Sequence, residues 1–268
     1  MPHLTNKPSN LPTISIITPS FHQGQFIEQT LASVLSQNYP KLEYWVIDGG
    51  STDDTVRILK HYQKRFPNHL RFISEKDRGQ THAINKGIER STGDIIGYLN
   101  SDDCLLPGSL DQVGQYFADH PQTLWLTGDC EIMNEKGEAI QSLVAFYKKC
   151  WRQLNSQTVL SILNPIAQPS TFWRRSAGEE IGSFDESLDY CMDYDWWFKL
   201  YQLGKPQILH QTLAQFRIHS QSKGGATFEK QFEEELAVAK RYQSSPMLQW
   251  LHGLHAWATV QTYKIIKS

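Results

Sequence analysis

Four short apolar runs, each followed by a segment of helical periodicity, constrain residues 13–110 more than any other feature of the chain. Residues 13–18 read as a strand closed by Pro19, after which Phe26, Ile27, Leu31, Val34 and Leu35 recur at the spacing of one buried helix face. Residues 42–47 read as a second strand ending at Asp48, with Gly49-Gly50-Ser51 as the turn. Ser51 or Thr52 then caps a helix with Asp53 and Asp54 in its first turn and Val56, Leu59 and Tyr62 along its buried side. Residues 70–74 form the third strand, 81–90 the third helix and 95–99 the fourth strand, and Pro107 opens a helix reaching about Asp119. Strands alternating with helices need crossover connections, so they pair in parallel and are covered on both faces. The expected fold class is α/β, with a mostly parallel, Rossmann-like central sheet flanked by helices.

Beyond residue 119 the pattern changes. Residues 124–133 and 139–144, on either side of Asn134-Glu135-Lys136-Gly137, predict a hairpin. A short helix over 157–163, a strand over 170–173, an amphipathic helix over 193–203 and a strand over 208–218 follow. A charged helix (227–242) and an aromatic-rich one (246–266) end the chain. These elements predict a small antiparallel extension of the sheet plus C-terminal helices. The expected boundaries are a tail at 1–12, one domain at 13–225 and the helices at 226–268.

Charge and cysteine usage narrow the function classes. With a net charge of −2 and Lys and Arg scattered, the chain has no polyanion-binding signature, and nucleic acid is not an expected partner. Cys104, Cys130, Cys150 and Cys191 are far apart, which argues against zinc and against a disulfide framework and fits a reducing compartment. The polar N-terminus lacks a signal-peptide core, and no run approaches the roughly 18 apolar residues of a membrane span. A cytoplasmic location is expected, with peripheral contact at the inner face of a membrane left open.

Three strand ends carry the polar residues: Thr18-Pro19-Ser20-Phe21, Asp48-Gly49-Gly50-Ser51 and Asn100-Ser101-Asp102-Asp103. Open α/β sheets bind ligands outside the carboxyl ends of their strands. Adjacent carboxylates there repel unless a cation lies between them, and hard divalent ions shared with substrate phosphates suit such oxygen ligands. The alternative is a helix N-cap. No Gly-x-Gly-x-x-Gly follows the first strand, against a dinucleotide enzyme, and 19–24 carry no Lys or Arg, against a nucleotidyltransferase phosphate loop.

Together with Asp77-Arg78-Gly79-Gln80, Ala83-Ile84-Asn85-Lys86-Gly87-Ile88 and Thr92-Gly93-Asp94, these segments resemble, in order and spacing, the family-two glycosyltransferases of the GT-A fold. The similarity is close over residues 13 to about 110 and looser to about 223. It implies a nucleotide-binding half (13–110), an acceptor-binding half (111–225), a nucleoside-diphosphate sugar donor, Mn²⁺ or Mg²⁺, and inversion at the anomeric carbon. By this resemblance Thr18, Pro19 and Ser20 line the nucleotide, and Asp48 reads a uracil or thymine N3–H. Asp77 and Gly79 close over base and ribose, and Asn85 and Lys86 stand behind. The family's Asp-x-Asp becomes Asn100-Ser101-Asp102: Asn100 and Ser101 fall to the nucleotide, Asp102 to the metal, and Asp103 supports it or touches the sugar. Asn100 lowers the negative charge of the site and puts strict metal dependence in question.

An inverting transfer also needs a base for the acceptor hydroxyl. Tyr190-Cys191-Met192-Asp193-Tyr194-Asp195 resembles the family's Glu-Asp helix start, with Met192 in place of Glu, Asp193 as base and Asp195 as the alternative. Gln168 to Phe172 and Gly182 to Asp185 match positions near the acceptor. Segment 217–223 resembles the loop that folds over the donor, with His219 as a further metal ligand and Lys223 toward phosphate. The implied partners are a sugar nucleotide, with uridine the expected base, and a glycan or lipid-linked saccharide acceptor. The alternative is a non-catalytic sugar-nucleotide-binding protein of the same fold, which the Asn100 and Met192 departures keep in view. In residues 246–266 the apolar stripe through Met247, Trp250, Leu254 and Trp257 reads as packing or an oligomer contact, or else as an interfacial helix.

Overall fold

The computed structural model describes residues 10–220 and 228–267. Its first half alternates without exception: β1 (Ile14–Ser20), α1 (Ile27–Leu35), β2 (Leu42–Asp48), α2 (Thr55–Arg65), β3 (Leu70–Ser74), α3 (Gln80–Arg90) and β4 (Ile95–Tyr98). The second half begins with β5 (Cys104–Leu105), α4 (Ser109–Asp119), β6 (Trp125–Met133) and β7 (Ala139–Ile140). Next come α5 (Ser142–Gln153), α6 (Gln157–Leu160), a 3-10 turn at Gln168–Ser170, β8 (Thr171–Arg174) and α7 (Arg175–Ile181). The described elements end with α8 (Met192–Leu203), β9 (Gln207–Arg217), α9 (Phe228–Tyr242) and α10 (Pro246–Lys267).

One mixed sheet holds the strands in the order β3-β2-β1-β4-β8-β6-β9-β5, with β7 beside β6. The block β3-β2-β1-β4 is wholly parallel, as expected for crossover-linked strands. β8 pairs antiparallel with both β4 and β6, and β5 pairs antiparallel with β9. Within this extension β6 and β9 are parallel to each other.

Strand alternation splits the core between the two faces. Ile14 and Ile16 of β1 pack with Leu31, Val34, Leu59 and Val113 of α1, α2 and α4. Ile17 faces the other way, with Ile84 of α3, Trp196 and Trp197 of α8 and Val238 of α9. α9 therefore shares the domain core, and the Phe198 and Tyr242 rings stack 4.7 Å apart. α3 approaches β1 closely because position 87 is glycine: a β-carbon there would lie 2.4 Å from Ile17 Cγ2.

Several sequence expectations need correction. β1 does not stop at Pro19 but continues to Ser20, in register with Asp48. Ile17 O accepts the Leu99 N–H, so Pro19, two residues on, turns its missing donor toward the side where β4 pairing has already ended. α2 starts at Thr55, whose N–H is taken by Asp53 Oδ1 at 3.1 Å, rather than under a Ser51 or Thr52 cap. α4 begins after Gly108, whose φ of +81° turns the chain beyond Pro107. The second hairpin arm is only two residues long, because the chain becomes helical at Ser142, and α7 occupies a stretch to which the sequence reading assigned no element. Among the described residues no helix is long and apolar enough to cross a membrane.

Candidate active site

The carboxyl ends of β1, β2 and β4 lie side by side, and hydrogen bonds between their loops fix the floor they form. Thr18 is buried with Oγ1 3.0 Å from the Tyr44 hydroxyl. Pro19 and Ser20 are buried at the strand end, and among the described residues Ser20 Oγ has no hydrogen-bond partner. The loop after β1 is tied to the loop after β2 by backbone donors: His22 N to Ser51 Oγ (2.8 Å) and Gly24 N to Asp53 Oδ2 (2.9 Å).

Asp48 is fully buried at the end of β2. Its Oδ2 accepts from Gly50 N (3.1 Å), Ser51 N (2.9 Å) and Ser74 Oγ (2.6 Å), while Oδ1 accepts from Ser51 Oγ. This organises the turn before it can read any base. Asp77 lies against Gly49, with Oδ2 3.0 Å from where a β-carbon at that position would be. Asp77 Oδ1 accepts the Gly79 N–H at 2.9 Å, and Gly79, at φ +118°, leads into α3.

Two sequence-nominated residues of α3 are spent on the protein itself. Asn85 Oδ1 accepts the Phe184 N–H and its Nδ2 donates to the Phe184 carbonyl, both at 3.0 Å, clamping α3 to the segment before α8. Lys86 pairs with Glu75. Gln80, at the start of α3, instead points into the site and donates to Asn100 Oδ1 at 2.8 Å.

The Asn100–Asp103 turn after β4 is the densest polar cluster. Asn100 Nδ2 stands 3.3 Å from both Asp103 Oδ2 and Gln168 Oε1, and Gln168 Nε2 donates to the Tyr98 carbonyl at 2.6 Å. Ser101 is buried. Asp103 is fully buried: Oδ1 accepts the Arg217 N–H at 2.8 Å and its carbonyl accepts from Thr30 Oγ1. It therefore supports the turn from inside. Burial, reinforced by the adjacent Asp102 charge, holds its carboxyl well above the usual carboxylate range.

Asp102 is the carboxylate of the turn that remains partly exposed, and His219 Nε2 lies 2.9 Å from its Oδ2. Among the described residues no three His, Cys, Asp or Glu side chains gather as a metal site. Two converging ligands nonetheless suit an ion that takes its remaining positions from phosphate oxygens and water. Lys223 lies outside the described residues.

Arg217 was not singled out by the sequence. Fully buried, it donates through Nε to the Asp102 carbonyl (2.7 Å), through one terminal nitrogen to the Asn134 and Glu135 carbonyls, and through the other to Gln29 Oε1. Its guanidinium lies 5.0 Å over the Phe26 ring. The available signal was a lone cation ending an apolar strand in a fold that must also bury an acidic turn.

Asp193 stands in the first turn of α8, half-buried, with Oδ1 accepting the Tyr194 N–H at 2.7 Å. Burial pushes its carboxyl up to about 6. Burial, reinforced by the charges of Asp193 and Asp103, holds the Tyr98 hydroxyl at the end of β4 well above its ordinary range. Asp195 is committed elsewhere: it accepts from the Tyr242 hydroxyl at 2.7 Å and pairs with Lys199 at 2.9 Å. That leaves Asp193 as the acid of this helix start available to a ligand.

The model of glycosyl transferase family 2 matches residues 15–182. An uncharacterized glycosyltransferase of Rickettsia prowazekii is 26% identical, over 78% of this chain and 65% of its own. The chondroitin synthase of Escherichia coli is 25% identical, over 88% of this chain and 35% of its own. The chain thus spans less than two thirds of the length of these relatives. Among solved structures, a mannosyltransferase from Pyrobaculum calidifontis in complex with GDP-Man and Mn²⁺ superposes with a TM-score of 0.69 at 19% identity, covering 94% of this chain and 70% of that one. TarS of S. aureus in complex with UDP-GlcNAc gives a TM-score of 0.64 at 16% identity, covering 88% and 69%. These superpositions show a shared GT-A fold.

Proposed function

The chain belongs to glycosyl transferase family 2, and we propose that it moves a sugar from a nucleoside-diphosphate donor to a hydroxyl of a glycan or lipid-linked saccharide, with inversion. What supports this reading is that Asp102, paired with His219, follows the carboxyl end of β4, and that Asp193 lies near enough for its charge to reach the buried Tyr98 hydroxyl of that strand. One acid faces the departing phosphate and the other the incoming hydroxyl.

In this reading the floor of Thr18, Pro19, Ser20 and the Asp48 turn takes the nucleoside. Asp48 presents its carboxylate to the pyrimidine N3–H, and the unpartnered Ser20 Oγ finds its partner in the ligand. Asp77 and Gly79 cover the ribose side. Asn85 acts indirectly, by holding α3 in place. Asn100 and Ser101 lie under the donor, and Asp103 keeps Asp102 aimed at it. Asp102 and His219 would hold Mn²⁺ or Mg²⁺, which when bound supplies positive charge to the diphosphate.

Asp193 takes the proton of the acceptor hydroxyl as its oxygen bonds to the anomeric carbon. The bond from that carbon to the diphosphate oxygen breaks at the same time, and the nucleoside diphosphate leaves with the electron pair. A carboxyl near 6 is ionised at neutral pH yet more basic than an exposed aspartate, which suits this task. UDP-GlcNAc and GDP-Man in structures of the same fold support a sugar-nucleotide donor, with uridine our first choice of base.

The test is nucleoside-diphosphate release from UDP-, TDP- and GDP-sugars, with Asp193→Asn as control. We expect release from one donor class and a loss of about 10²–10⁴-fold in the variant. Donor binding without turnover, unchanged by the substitution across acceptor panels, would favour a non-catalytic sugar-nucleotide-binding protein.

A further inference from the structure

We infer that Glu234 of α9 is a positioning residue for Asp193, seating the turn from which α8 presents it; the inference rests on Asp193 being the base of the proposed reaction. Glu234 is half-buried, and its carboxylate accepts three successive backbone donors of that turn. Oε2 takes the Asp189 N–H at 3.0 Å, and Oε1 takes those of Tyr190 at 2.8 Å and Cys191 at 2.6 Å. Successive N–H groups converging on one anion form a nest, and bonds of this length to a carboxylate are of the charge-assisted kind. A second tie lies one turn earlier on α9, where Cys191 Sγ donates to the Gln231 carbonyl at 3.4 Å.

The turn takes its anchor from another element. Cys191, at the N-cap position of α8, makes no side-chain cap bond, and Asp193 follows in the first turn. The Asp193 carboxylate accepts the Tyr194 N–H of its own helix, so its place follows that of the helix start. Farther back in the same segment, Asn85 holds Phe184 and Arg78 pairs with Glu186 at 2.7 Å. Those contacts fix the chain between α7 and α8 to the α3 side of the site. Glu234 fixes its last three residues to α9. With both oxygens engaged by backbone donors, Glu234 steers the base rather than acting as one.

The test uses the full chain carrying Glu234→Ala or Glu234→Gln, each fold checked by circular dichroism. Amide hydrogen exchange over residues 189–195 should quicken by about tenfold or more in Glu234→Ala. On whichever UDP-, TDP- or GDP-sugar the wild type turns over, Glu234→Ala should lower kcat by about 10–100-fold at an unchanged donor KM. Glu234→Gln keeps an oxygen for the Tyr190 and Cys191 donors and should recover most of that rate. The charged and titratable groups bearing on Asp193 are Lys148 of α5, Glu234 and Glu235 of α9, Tyr98 of β4, and Cys191 and Tyr194 beside it. The charge of Glu234 raises the Asp193 carboxyl, so the acid limb of kcat/KM should move to lower pH in both variants, as loss of a mere brace would not make it do. If Glu234→Ala does not fold, Glu234→Asp, one methylene short of the nest, should show the same losses at smaller size. Wild-type kcat and exchange in the variants, beside an inactive Asp193→Asn, would overturn this inference alone. No turnover of any donor, or an active Asp193→Asn, would overturn the transfer reading and this inference with it.

Discussion

His219, two residues beyond the end of β9, lies with its Nε2 2.9 Å from Asp102 Oδ2 in the turn after β4. The contact joins residues 117 positions apart and exists because β9 runs beside β5, the short strand that follows the acidic turn. We predict that Asp102→Ala and His219→Ala each lower Mn²⁺-dependent affinity for the nucleoside diphosphate by about 10–100-fold, read by calorimetry with and without the ion. Unchanged affinity in both variants would remove the metal from this pair.

Asp193 ties stability to activity in opposite senses. Its folded-state pKa, about 6, exceeds the ordinary 3.8, so the folded chain holds this proton more tightly than the unfolded one. That contribution is fully present below 3.8 and is lost as pH rises through about 6. Asp193→Asn should therefore unfold on the order of 1–3 kcal/mol later than wild type at pH 8, with the gain gone at about pH 4. In the wild type, kcat/KM should fall below about pH 6 as the base is protonated. Denaturant titrations and a pH–rate profile measure the two, and a flat acid limb would disqualify Asp193.

Asp195 tests whether the neighbouring acid is structural. Its bond to Tyr242 holds α8 against α9, and its pair with Lys199 braces it within α8. Asp195→Ala should cost about 3 kcal/mol in stability while leaving the donor KM of the folded enzyme unchanged. A selective collapse of kcat at unaltered stability would instead make Asp195 the base.

Arg217 holds the acidic turn from below. Arg217→Met keeps most of the stem over Phe26 but removes the donors to the Asp102, Asn134 and Glu135 carbonyls. Leaving buried acceptors without partners should destabilise the chain by about 2–4 kcal/mol. It should also weaken nucleotide binding by about tenfold, because Asp102 loses its seat. Wild-type stability and affinity together would show the staple to be dispensable.

Gly87 reports on the packing beneath the site. A β-carbon there would meet Ile17 Cγ2 at 2.4 Å, so Gly87→Ala should push α3 from β1 and cost about 1–3 kcal/mol. Thermal denaturation checks it, and a neutral result would mean that α3 can shift freely.

The alternation of β1 through β4 was legible in the sequence because each element carries its own signal. Ile14, Ile16 and Ile17 alternate between faces, and Leu31, Val34 and Leu35 repeat at helical spacing. Local periodicity is fixed by backbone geometry and burial, and both can be read within a dozen residues. The strand ends bearing Asp48 and Asp102 followed directly. α5 was not legible: Leu143, Phe146 and Tyr147 point outward, so its pattern could not be told from that of a short strand. In the sequence Asp193 was the expected base and Asp195 the alternative, two residues apart on one helix start. Tertiary packing separated them further, by laying Tyr242 of α9 against Asp195, which also pairs with Lys199, while Asp193 accepts the Tyr194 N–H. Arg217 and the Asp102–His219 contact belong to the same class, since pairing between distant strands depends on how the whole sheet closes, which no local window contains.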